Sequence, residues 1–156
     1  MAKKKVFVSF DYDNDKHYKL LLEAWDANPN FDFSFNDQSV TEKIDSDEAS
    51  RIKAGITSKM NDSTYCLIII GEHTHNSKWV SWEIENANKL GLKLIAVKID
   101  KSYKTPDALY GKNASWAMSF TQDSIIDAME RSALIAGRPN LEPPPKRSVK
   151  PSNCIR

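Results

Sequence analysis

Thr64-Tyr65-Cys66-Leu67-Ile68-Ile69-Ile70 is a short, continuously apolar run. A strand with one wet face alternates apolar and polar residues, so a run without that relief needs cover on both faces. That is the condition of a central strand in a parallel sheet. Before it, Ala49, Ile52, Ile56 and Met60 recur at helical spacing from about Asp47, with Asp45 or Ser46 available as cap. After it, Gly71-Glu72-His73-Thr74-His75-Asn76 forms a polar loop.

The next stretch, Ser77-Lys78-Trp79-Val80-Ser81-Trp82-Glu83-Ile84-Glu85-Asn86-Ala87, opens an amphipathic helix with Ser77 as its N-cap. At about 100° per residue, Trp79, Val80, Ile84, Ala87 and Leu90 share one face. Ser81, Glu85, Asn88 and Lys89 lie opposite, with Glu85 and Lys89 spaced for an i,i+4 pair. Glu83 breaks the pattern, four residues from both Trp79 and Ala87 and inside the apolar stripe. A carboxylate there is costly unless something satisfies it, which makes it a candidate for function. The plain alternative is a structural Glu paired with a buried Lys or with backbone N–H groups. Trp79 likewise serves either as core packing or as a platform on which a ring stacks.

The alternation extends in both directions. Lys4 to Phe10 reads as a strand, followed by a helix from Asn14 or Asp15 to about Ala27, with Leu21, Ala24 and Trp25 buried. Phe31, Phe33 and Phe35 alternate with polar residues as a strand, and a polar loop runs from Asn36 to Ser46. Gly91 ends the Glu83 helix ahead of a buried strand at Lys93–Ile99. A loop with Pro106, a weaker strand at Ser115–Phe120 and a helix over Gln122–Ala136 follow. With right-handed crossovers this order gives an α/β fold, a doubly wound, mostly parallel sheet. Ligands of such sheets bind outside the carboxyl ends of the strands, where the polar loops gather.

Composition bounds the function. The 156 residues are 40% hydrophobic and 28% charged, as expected of one globular domain. The net charge of +1 divides unevenly: residues 138–156 carry about +4, leaving about −3 for the rest. An acidic body offers no electrostatic footprint for nucleic acid. No run approaches a membrane span of about 20 apolar residues, and no signal-peptide core follows Lys3-Lys4-Lys5. A cytoplasmic protein is therefore expected, consistent with two cysteines in unlike settings, Cys66 in the apolar run and Cys154 in a polar tail. Five of the seven prolines fall between Pro139 and Pro151, which sets residues 1–137 apart as the domain and 138–156 as an extended basic tail.

Other motifs fail on their own chemistry. Asp11-Tyr12-Asp13-Asn14-Asp15 starts like a calcium loop, but Lys16 and Leu22 stand where Gly and Glu are required. His73 and His75 lack a third ligand at a recognisable spacing, so no metal is expected. No phosphate loop, dinucleotide fingerprint or nucleophile–base constellation is present. What remains is a carboxylate beside an aromatic ring at a strand-end crevice. That pairing suits glycosyl or ribosyl transfer, whose oxocarbenium-like transition state a negative charge stabilises.

Val6-Phe7-Val8-Ser9-Phe10 resembles the first box of TIR domains, and Lys78-Trp79-Val80-Ser81-Trp82-Glu83-Ile84 resembles the helix start carrying the catalytic Glu of NAD-cleaving TIR domains. The segment from Gly71 to Ile84 is similar, more particularly, to the TIR-like domain of bacterial Thoeris antiphage (ThsB-like) proteins, and Ser115-Trp116 to the short third box. The resemblance covers roughly residues 4–136. It implies a five-stranded flavodoxin-like sheet and cleavage of the nicotinamide–ribose bond of NAD, as an NAD nucleosidase or ADP-ribosyl cyclase. NAD is then a substrate, and no cofactor is required. The product would be ADP-ribose, a cyclic isomer or an ADP-ribosyl conjugate, acting as a signal to a separate effector protein. By motif position, Glu83 would be catalytic, with Phe10, Asp11, Tyr12, Phe35, Ser77 and Trp79 binding substrate. Many TIR domains place a basic residue just after the first box. This chain has Asp11-Tyr12-Asp13, which argues against phosphate contacts from that loop. The Asn36–Ser46 loop stands where TIR domains often touch a neighbour, so self-association is expected too. A non-catalytic scaffold acting by protein contacts and a nucleoside ribosyltransferase-like enzyme are the competing readings.

Overall fold

A computed structural model of the chain describes residues 4–28, 33–36 and 47–136. Five parallel strands run β1 (Lys4–Ser9), β2 (Phe33–Asn36), β3 (Tyr65–Ile70), β4 (Lys93–Lys98) and β5 (Ser115–Ala117), in the spatial order β2-β1-β3-β4-β5. The helices are α1 (Tyr12–Asp26), α2 (Ala49–Asn61), α3 (Lys78–Lys89) and α4 (Gln122–Ala136). This is the doubly wound, flavodoxin-like α/β arrangement the pattern calls for. Short 3₁₀ turns at Thr74–Asn76 and Asp107–Leu109 interrupt the loops after β3 and β4.

β3 is the central strand and all six of its residues are buried. Its two faces feed two cores. Tyr65, Leu67 and Ile69 join Val6, Val8, Leu22 of α1 and Ile125 and Met129 of α4. Cys66, Ile68 and Ile70 join Phe7, Ile56 and Met60 of α2 and Val80, Ile84 and Ala87 of α3. Each fully buried Leu or Ile contributes about 1.5–3 kcal/mol relative to exposure. The unbroken apolar run therefore follows from having a helix layer on each side.

α3 begins and ends on its own local signals. Ser77 Oγ accepts from the Val80 N–H at 3.2 Å. At the other end Gly91 adopts φ +84°, and Leu92 N–H donates to the Ala87 carbonyl while Gly91 N–H donates to that of Asn88. That is a Schellman closure, which a residue with a side chain disfavours at the Gly91 position.

Several expected boundaries and faces shift. α1 starts at Tyr12 rather than at Asn14 or Asp15, because the Asn14 and Asp15 N–H groups both donate to the Asp11 carbonyl. Its buried stripe is Asp15, Tyr18, Leu22 and Trp25, while Leu21 and Ala24 are exposed. α2 starts at Ala49, two residues later than expected, with Glu48 as its N-cap residue and no side-chain cap bond. Glu85 pairs with Lys112, at 3.3 Å, and not with Lys89. β1 and β4 each stop one residue short, and β5 is only three residues long, at the sheet edge. The expected caps Asp45 and Ser46, residue Phe31, most of the Asn36–Ser46 loop and the tail from residue 137, with Cys154, lie outside the described residues. No helix among the described residues is long and apolar enough to cross a membrane.

Candidate active site

In this strand order the chain turns one way from β1 and the other way from β3, so the crevice between their carboxyl ends is the topological switch point. Two buried carboxylates belong to the elements that leave this point. Glu83, on the second turn of α3, is 4% exposed. Ser9 closes β1 and, by strand alternation with Phe7, faces α3. Its hydroxyl donates to Glu83 Oε1 at 2.6 Å, a bond buried on both sides. That length is typical of a charge-assisted O–H···O⁻ bond. Cys66 of β3 belongs to the same core layer, and its thiol is pushed well up by burial and, secondarily, by the charge of Glu83. A neutral thiol and a hydroxyl thus neighbour the carboxylate.

The second carboxylate, Asp15 of α1, is 6% exposed. Gly71 N–H donates to Thr74 Oγ1 at 2.8 Å, and the Thr74 hydroxyl donates to Asp15 Oδ2 at 3.3 Å. Burial raises the Asp15 carboxyl above its ordinary 3.8, and Asp11 adds to the rise, while the Thr74 bond and the facing His17 and His73 oppose it. Asp15 lines a cavity of about 250 Å³ with Asn14, His17, Tyr18, Gly71, Glu72, His73, Ile99 and Tyr103. Burial and the charge of Glu72 push the Tyr103 hydroxyl up. Of the residues singled out in the sequence, Phe10, Asp11, Phe35, Ser77, Trp79 and Glu83 do not line this cavity.

Those seven are distributed as follows. Glu83 and Trp79 share α3; Trp79 is half-buried against the α2/α3 core and packs edge-to-face on Trp82, centroids 6.1 Å apart. Ser77 is engaged as the α3 cap. Phe10 follows Ser9 directly but belongs to the core on the opposite sheet face, where Phe35 also packs. Asp11 is the N-cap residue of α1 and accepts from Asn14 Nδ2 at 2.6 Å; Tyr12 is the first residue of that helix. Sequence reasoning missed Ser9 as the partner of Glu83. The available signal was a hydroxyl at an inward strand position. It also missed Asp15, whose 3-4-3 spacing with Tyr18, Leu22 and Trp25 marks the buried face of α1. No group of three or more His, Cys, Asp or Glu among the described residues is placed to hold a metal ion.

Comparison with known proteins bears on the fold and the family. No curated protein matches the sequence significantly. Among solved structures, a 2-deoxyribosyltransferase from Bacillus psychrosaccharolyticus shares the fold at TM-score 0.55 and 11% identity, over 77% of this chain and 90% of that one. A 3-dehydroquinate dehydratase-like protein from Bifidobacterium longum aligns at TM-score 0.44 and 14% identity, over 86% of this chain and 98% of that one. Residues 7–104 match the family described as Thoeris protein ThsB, TIR-like domain. The match takes in Ser9, Asp15, Gly71, Thr74, Trp79 and Glu83. With well over half of its length matched, the chain belongs to the TIR-like domain family of Thoeris ThsB proteins.

Proposed function

We propose that this TIR-like domain cleaves the nicotinamide–ribose bond of NAD and makes an ADP-ribose-type signal that activates a separate effector in antiphage defence. The observation that carries the reading is Glu83, a carboxylate buried at the sheet's switch point and hydrogen-bonded by the Ser9 hydroxyl. In the reaction the C1′–N bond breaks and its electron pair leaves with nicotinamide. Positive charge then develops on the ribosyl carbon and ring oxygen. A carboxylate fixed in a water-poor site stabilises that charge far more than one in bulk water. Water yields ADP-ribose, a nucleophile within the molecule yields a cyclic isomer, and an added nucleophile yields a conjugate. In each case the capturing group loses its proton. Trp79, one turn before Glu83, is the ring proposed for stacking, and Phe10, Asp11, Tyr12, Phe35 and Ser77 are the further substrate-binding positions of this reading. NAD is consumed as substrate, without a cofactor.

The test is incubation of the purified chain with NAD and, separately, with a nucleoside, resolving products by mass. The nucleoside arm is included because the ribosyltransferase likeness is one of fold. Glu83→Gln keeps the shape of the side chain and removes its charge, so NAD turnover should fall at least about 100-fold with the fold intact. Glu85→Gln, on the solvent face beside Lys112, should leave turnover unchanged. Full turnover by a folded Glu83→Gln protein would end the assignment.

A further inference from the structure

We propose that Ser9 is a positioning residue for NAD cleavage: its hydroxyl holds the Glu83 carboxylate in one orientation and in its charged form. The inference rests on the functional reading above and adds to it a group on another element. Ser9 is fully buried and faces an otherwise apolar core layer, where an unsatisfied hydroxyl is costly. Its partner is the one carboxylate inside the apolar stripe of α3. Each group answers the other's desolvation, and the 2.6 Å separation fits a proton donated to a charged acceptor.

The placement suits precision. β1 is paired on both sides, with β2 and with β3, and Ser9 itself is in register with Ile68 of β3. The hydroxyl is therefore anchored to the sheet interior, while Glu83 hangs from a helix through a flexible side chain. Cys66 on β3 is a described titratable group that senses Glu83, and burial keeps its thiol protonated. A donor to the charged form favours ionisation, so deleting it must make the carboxyl easier to protonate. It also removes one restraint on the carboxylate's orientation, which weakens charge stabilisation without weakening substrate binding.

The experiment compares wild type, Ser9→Ala, Ser9→Cys and Ser9→Thr, each checked for fold by circular dichroism and melting. In Ser9→Ala, kcat should fall about 10–100-fold, the usual effect of removing an orienting hydrogen bond. KM should change less than about threefold, the signature of an interaction realised in the transition state. The acid limb of the kcat profile should move upward in pH. Ser9→Thr, which keeps the hydroxyl, should recover most of the loss, and Ser9→Cys, a weaker donor of similar shape, should fall between. The Glu83 carboxyl titration, followed by carbon NMR without substrate, should rise in Ser9→Ala whatever the turnover. Should Ser9→Ala fail to fold, the Ser9→Cys values decide by the same criteria.

With wild-type turnover present, an unchanged kcat or an unmoved Glu83 titration in the folded variant overturns the inference alone. A loss of kcat that Ser9→Thr does not recover, with the acid limb unmoved, marks a merely structural serine and overturns it as well. No NAD turnover by wild type overturns the functional reading. In that case the titration still reports whether the hydroxyl sustains the charge.

Discussion

Gly71→Ala tests the close contact between α1 and the loop after β3. A Cβ built on Gly71 would lie 2.3 Å from Asp15 Oδ2, 2.4 Å from Oδ1 and 2.6 Å from Cγ. Comfortable contact begins near 3.5 Å, so the carboxylate would have to retreat by about 1 Å. A surface side chain would swing aside at little cost. Asp15 is 6% exposed and bonded to Thr74, whose own oxygen is engaged by the Gly71 N–H, so movement there breaks a connected set. Overpacking of this kind costs about 1–3 kcal/mol, and the lost hydrogen bond about 1 kcal/mol more. The total, about 2–4 kcal/mol, corresponds to a fall in Tm of about 5–15 °C for a chain of this size. The assay is a double-mutant cycle by denaturant unfolding with Asp15→Ala. Removing the carboxylate removes the obstacle, so Gly71→Ala should then cost less than about 1 kcal/mol, leaving a coupling of at least about 1 kcal/mol. Equal costs in the two backgrounds, or a cost below about 0.5 kcal/mol in wild type, would refute the close-approach argument.

Two further outcomes follow from other features. A carboxyl whose folded pKa is raised binds its proton more tightly folded than unfolded, so its ionisation costs stability above the raised value and nothing below the ordinary 3.8. Asp15→Asn should therefore raise Tm relative to wild type at pH 7, and that pH-dependent gain should disappear as pH falls through the Asp15 titration toward 3.8; a gain that is flat with pH would show that Asp15 ionisation is not its source. Catalysis should also depend on self-association, because a carboxylate only 4% exposed in the single chain needs the crevice completed or opened by a partner. Specific NAD turnover should then rise over a hundredfold range of protein concentration, and a constant, high value from a proven monomer would refute it.

The fold was readable where periodicity was clean. β3 had no polar residue to assign to a wet face, and α3 showed its stripe, its Ser77 cap and its misplaced Glu83 within a single local window. α1 misled because Leu20-Leu21-Leu22 offers a leucine at three neighbouring angles. The true phase is set by Leu22 together with Asp15, a charged residue that a hydrophobic pattern discounts. The Glu85 partner was misassigned because the local candidate Lys89 competes with Lys112, brought up by the loop after β4. Of the candidate site, one residue was readable and not a constellation. Glu83 announces itself by being charged among apolar neighbours, but nothing near it in sequence names Ser9, whose relevance arises only when β1 and α3 meet.

Ser9 and Glu83 are separated by 74 positions, and that distance has a consequence for how the chain folds. β3, α3 and β4 are contiguous and can pair early, at small loop-closure cost. In any species lacking β1, the α3 carboxylate has no Ser9 to meet and keeps its water. The hydroxyl contact forms only when the amino-terminal strand docks beside β3, closing a loop that spans the first two helices. The hydroxyl–carboxylate pair is thus assembled by the longest-range step in this half of the sheet. A chain in which β1 has not yet docked lacks the Ser9–Glu83 contact on which the proposed turnover rests.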